Sequence, residues 1–256
     1  MWIVNAFFSD VPAHVLFVLA QAVIIWYSIH IRKKVYPVNP VIIACQTIEN
    51  ELLAAMKAEG VSYPIRWIES GLHNVPKLLN QRLQEELDAC REYDTVLLAM
   101  SFCGNSLIGL KTHDFQLVIP RSDDCITLLL GSVERRQESQ YTYFLTEGWL
   151  KGERNIWVEY ENCLKRYGEK RGKKIFDALF ANYRYIALVD TGAYDAQAAE
   201  EEARRIGEKL GLEFQKMDGT LDHLRLLLRE GWTQDRFVRI LPNTEVRHAD
   251  CSLKDG

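Results

Sequence analysis

Residues 41–60 read VIIACQTIENELLAAMKAEG, and this stretch decides the fold. Val41 to Ala44 is an unbroken apolar run, suited to a strand covered on both faces. Cys45-Gln46-Thr47 then turns the chain into a helix running from Ile48 to Glu59. Thr47 is placed to cap that helix, and Asn50 and Glu51 fall in its first turn, where an acid suits the helix dipole. Gly60 supplies the left-handed residue that ends it. A buried strand leading directly into a helix is the start of a βαβ unit.

The same alternation recurs along the chain. Further strands are expected at Tyr63–Ile68, Thr95–Met100, Phe115–Ile119, Tyr185–Val189, Glu213–Lys216 and Phe237–Leu241. Helices are expected from Lys77 to about Arg91, at Ile126–Leu130 before Gly131, at Ala196–Leu210 before Gly211, and at Leu221–Arg229. A short helical stretch is expected from Asn105 through Leu110. Residues 133–180 read as mostly helical, with a polar, aromatic start at Tyr141-Thr142-Tyr143-Phe144. The last dozen residues read as a frayed tail. The fold class is therefore α/β, a mainly parallel, Rossmann-like sheet flanked by helices and preceded by an N-terminal hydrophobic helix. The domain spans residues 40–245, with lobes at 40–135 and 180–245 joined by a helical region.

Residues 1–39 form a separate segment. Val11 to Ile31 carries no formal charge and is followed by Arg32-Lys33-Lys34. A span of about twenty residues is long enough to cross a bilayer as a helix. The basic cluster after it would leave the following domain cytoplasmic. Two other readings compete: a soluble helix, since His14, Gln21, Ser28 and His30 interrupt the apolar run, and a start assigned too far upstream. The net charge of −4 over 256 residues offers no basic excess to neutralise phosphates and argues against a nucleic-acid partner. The six cysteines are scattered, with no tight pair, which fits reduced thiols rather than a secreted disulfide framework.

Four successive strands lead into a side chain able to bind metal: Cys45, His73, Cys103 and Cys125. Strands of an open parallel sheet end on one edge, where ligands bind, so groups far apart in sequence can meet there. Three thiolates and an imidazole complete a tetrahedral zinc site, and thiolates also hold iron–sulfur clusters. Asp123 and Asp124 are candidates for acid–base work or for orienting His73, and Arg121 for clamping a carboxylate or phosphate. Gly104 permits close backbone approach, and Gly104, Asn105 and Asp190 are the candidate cofactor contacts. Tyr141–Phe144 followed by Gly148-Trp149 could line a pocket for a planar group. Buried free cysteine is also common as a small apolar residue, so a plain structural role competes throughout. Phosphate-loop, dinucleotide, serine-hydrolase and zinc-protease motifs are absent.

These residues resemble the bacterial and archaeal family called domain of unknown function 1638. The resemblance lies in ACQTIENEL at Ala44–Leu52, LHNVP at Leu72–Pro76, FCGNSLIGL at Phe102–Leu110 and LVIPRSDDCITLLLGS at Leu117–Ser132. YFLTEGW at Tyr143–Trp149 and VDTG at Val189–Gly192 extend it. It implies that Cys45, His73, Cys103 and Cys125 occupy family-pattern positions. By association it also implies a setting of corrinoid-dependent methyl transfer. Met100-Ser101-Phe102 departs from the family's usual Tyr-Gly before the Cys-Gly pair, and the N-terminal extension departs as well. Three readings stay open. One is a metal-dependent enzyme acting on a small molecule, with methyl transfer as its reaction. Another is an accessory protein delivering metal or corrinoid to a methyltransferase. The third is a structural module with buried cysteines.

Overall fold

The computed structural model describes residues 39–152 and 155–251. The hydrophobic segment 11–31 lies outside them. Among the described residues no helix is long and apolar enough to cross a membrane.

The opening stretch folds as its pattern dictates. Strand β1 (Pro40–Cys45) is buried along its whole length. The turn Gln46–Ile48 is one turn of 3₁₀ helix, and helix α1 (Glu49–Glu59) follows, ended by Gly60 at φ 67°. Thr47 does not cap the helix. It is buried, and its hydroxyl lies 3.0 Å from the Cys45 sulfur. Strands β2 (Ile65–Ile68), β3 (Thr95–Ala99) and β4 (Gln116–Pro120) join β1 in a sheet of order β2-β1-β3-β4-β8. The first three pairings are parallel, and β8 (Phe237–Ile240) runs antiparallel along β4. Helix α2 (Pro76–Asp88) follows β2, and α3 (Cys125–Leu130) follows β4 and ends at Gly131, φ 74°.

A second sheet replaces part of the expected helical region. After α4 (Val133–Glu138), residues Thr142–Leu145 form strand β5. The aromatic start of that region is thus a strand, paired in parallel with β6 from Thr142 to Leu145. Strands β6 (Tyr185–Asp190) and β7 (Glu213–Asp218) complete an all-parallel sheet of order β5-β6-β7. Helices α5 (Glu147–Lys151), α6 (Ile156–Tyr167) and α7 (Glu169–Leu179) separate β5 from β6. Helix α8 (Ala196–Leu210) links β6 to β7, and α9 (Asp222–Leu228) returns the chain to the first sheet. The fold is α/β with mainly parallel strands, divided between two sheets.

Two expectations about irregular segments change. Residues 105–110 are turns rather than a helix, held by the Gly109 N–H donating to Val246. Within the described part of the tail, Val246 is fully buried, and His248–Cys251 form a 3₁₀ turn.

The carboxyl ends of the two sheets meet. A Cβ on Gly148 in α5 would lie 2.1 Å from the Thr47 carbonyl oxygen, a contact no alanine can make. Beside it Asn50 donates to Glu147, and Thr191, just past β6, donates to Glu51 at 3.2 Å. The chain crosses between sheets at two adjacent points, where the Thr220 N–H donates to Leu129 at 2.7 Å.

Glu51 is the anomaly of this junction. It is fully buried, its Oε2 has no hydrogen-bond partner, and burial raises its carboxyl to about 7. A carboxyl whose folded pKa lies above its unfolded value favours folding at low pH. That contribution is lost as pH rises from about 4.5 to about 7. The loss amounts to about 3 kcal/mol at most. Glu51→Gln is therefore expected to gain stability over the parent at pH 8 relative to pH 4.5, measured by urea unfolding at both values. An unchanged difference contradicts the burial of an unpaired carboxyl.

Candidate functional site

Parallel pairing places the ends of β1, β3 and β4 side by side, and the loops beyond them carry the thiols. Cys45 ends β1 and is 6% exposed; burial first, and then the nearby Cys125 thiol, push its pKa up to about 11. Cys125 opens α3 and is 5% exposed. A hydrogen bond with the Cys103 thiol, with burial next, holds its pKa well above the ordinary thiol range. Cys103 is half-buried and sits in the left-handed region at φ 45°, followed by Gly104 at φ 68°. A non-glycine residue held there costs about 1 kcal/mol or more. The loop is kept in place by two bonds to the next one, Phe102 N–H to Ser122 and Cys103 N–H to Asp123, both 3.0 Å.

His73 comes from the 3₁₀ turn Leu72–Asn74, which follows left-handed Gly71. Its ring centroid lies 6.4 Å from that of Trp149, tilted by 50°. The ring keeps considerable surface in water, yet desolvation on its inner side lowers its pKa. The neutral imidazole that metal binding requires is thereby favoured.

Cys45, His73, Cys103 and Cys125 all line one cavity of about 170 Å³. Thr47, Glu69, Asp124 and Trp149 share its walls, and Ile68, Leu79 and Met100 supply apolar surface. Among the described residues no lysine or arginine is part of these walls. The Ser101 hydroxyl, close in sequence to Cys103, is buried with no hydrogen-bond partner. As the side chains are oriented, no three His, Cys, Asp or Glu among the described residues stand in a metal-holding arrangement. One rotamer step about χ1 moves a cysteine sulfur by about 3 Å.

The other candidate residues are dispersed. Asp124 lines the cavity, but its carboxylate caps α3, accepting from the Thr127 N–H at 2.6 Å and hydroxyl at 2.7 Å. Its second oxygen meets Arg136 at 3.4 Å. Asp123 is exposed, with its pKa raised by burial of its inner side and then by Asp124, and it lies outside this cavity. Arg121 donates to the Gln234 carbonyl at 2.7 Å, on the β8 side. Gly104 and Asn105 are exposed and are not among the cavity walls. Asp190 ends β6 and pairs with Lys216 at 2.9 Å, which lowers its pKa. Sequence reasoning passed over Glu69, which follows β2 as Cys45 ends β1, and gave Thr47 a capping role instead of a place in the cavity wall.

Fold and site together define a two-sheet α/β protein with a thiol- and imidazole-lined cavity where the sheets meet. The family described as protein of unknown function (DUF1638) matches residues 67–228, and the chain belongs to it. The match contains His73, Cys103 and Cys125, while Cys45 lies before it. No curated protein and no solved structure matches the chain.

The burial of the thiols has a direct consequence. In chelator-treated protein at pH 7.5, iodoacetamide is expected to label Cys103 well before Cys45 and Cys125. Labelling of Cys45 should then climb about tenfold per pH unit, since the thiolate is the reactive form. Peptide mass spectrometry reads both. Equal labelling of all three at pH 7.5 contradicts the arrangement.

Proposed function

We propose that the protein binds zinc through Cys45, His73, Cys103 and Cys125 and acts on a small molecule at that centre. The observation that carries this reading is the convergence of four side chains from four separate segments on one cavity. Donor type supports it, since three thiols and an imidazole suit zinc better than oxygen-preferring cations. The electrostatics support it too: buried sulfurs with no cationic neighbour stay protonated until a cation enters. Side-chain rotations toward the cavity centre would be needed to complete the coordination, since no three of these groups stand in a metal-holding arrangement among the described residues.

Each residue has a definable part. Cys45, Cys103 and Cys125 would give up protons to hold the ion, and His73, whose desolvation favours the neutral ring, would bind through a ring nitrogen. Zinc so held would supply Lewis acidity, and a thiol or water would reach it only by displacing one of these four ligands. Asp124 fixes the start of α3 and with it Cys125. Ile68, Leu79 and Met100 supply apolar surface beside the sulfurs. Small-molecule methyl transfer is the reaction that the family association suggests.

Purified protein loaded with zinc and desalted is expected to retain about one ion per chain. Cys125→Ser and His73→Ala are each expected to weaken binding by about a hundredfold or more, and Cys163→Ser not at all. Zinc retention unchanged in Cys125→Ser removes that residue from the site, and failure of the parent protein to retain zinc defeats the reading.

A further inference from the structure

A second cavity of about 170 Å³ adjoins the thiol cavity and shares Thr47, His73 and Trp149 with it. Its far side is built from rings: Tyr143 of β5, and Phe176 and Phe180 at the end of α7. Phe176 and Phe180 are stacked, with centroids 5.6 Å apart and planes within 6°. Tyr143 meets Phe180 at 5.4 Å and 57°. The enclosed space is therefore bounded by flat faces. An apolar cavity of about 150 Å³ accommodates one benzene-sized molecule.

Tyr143, Ser70 and Asn74 line this cavity, and among the described residues their side chains make no hydrogen bond. Asn155, by contrast, is occupied, capping α6 and donating to Leu150 at 2.7 Å. Glu159 also lines the cavity. A ring with a hydrogen-bonding edge satisfies both the flat walls and these polar groups.

We infer that this cavity binds a single-ring aromatic molecule bearing a hydroxyl or similar group, and presents it to His73 at the neighbouring thiol cavity. Binding of the ring stands on the cavity alone. Its delivery to a metal centre rests on the zinc reading.

Phenol serves as the probe, titrated calorimetrically into the full chain with and without zinc. Phenol should bind in both forms. Tyr143→Phe and Asn74→Ala should each reduce phenol affinity by about threefold to tenfold. Ser70→Trp should abolish binding by filling the cavity, with the melting temperature as its folding control. Should Ser70→Trp fail to fold, the other two variants decide. Absence of phenol binding, or affinity unchanged in Tyr143→Phe and Asn74→Ala, overturns the inference. Phenol binding by a protein that retains no zinc defeats the metal reading alone; zinc retention without phenol binding defeats this one alone.

Discussion

The contact on which the site depends is the close approach of Gly148 to the Thr47 carbonyl. A side chain at residue 148 would place its first carbon 2.1 Å from that oxygen. Only glycine lets the second sheet's edge settle onto the end of β1. That settling carries Trp149 over His73 and brings Tyr143, Phe176 and Phe180 alongside the thiol cavity. It also encloses Glu51, whose burial without a full set of partners is a cost of the junction. A first sheet alone would present its cysteines on an open edge. The second sheet turns that edge into a cavity.

On the proposed reading, a cation would supply the positive charge that this cavity's walls lack. Interiors tolerate ionised groups only when they are paired or bound to metal. Three thiols meet here without a lysine or arginine, and the two most buried are held protonated. The backbone at Cys103 is strained yet fastened by bonds to the β4–α3 loop. Strain maintained by neighbouring bonds marks places where side-chain position matters more than local stability.

Much of the fold was legible because it is written locally. The run Val41–Ala44, the glycine after Glu59, and the helix Ala196–Leu210 with Gly211 behind it each carry their own signals. Strand β5 was not legible: Thr142–Leu145 is short, mixed in polarity and bordered by helices. Nor was the division into two sheets, since a buried parallel strand reads alike in either. The antiparallel direction of β8 and the burial of Val246 depend on partners far away in sequence. For the site, the strand-end cysteines were visible because parallel strands end together. Trp149, read from its aromatic stretch as a possible pocket wall, lines both cavities, whereas Glu69 acquires its place only through the turn after β2. Asp190, read as a candidate from its strand end, belongs to the other sheet and to Lys216.

The most direct test of the account is X-ray absorption at the zinc edge of the loaded protein. The account predicts a four-coordinate shell dominated by sulfur, with Zn–S near 2.3 Å and an imidazole nitrogen near 2.0 Å, both approximate. A shell made mainly of oxygen and nitrogen, with no sulfur at that distance, would contradict it.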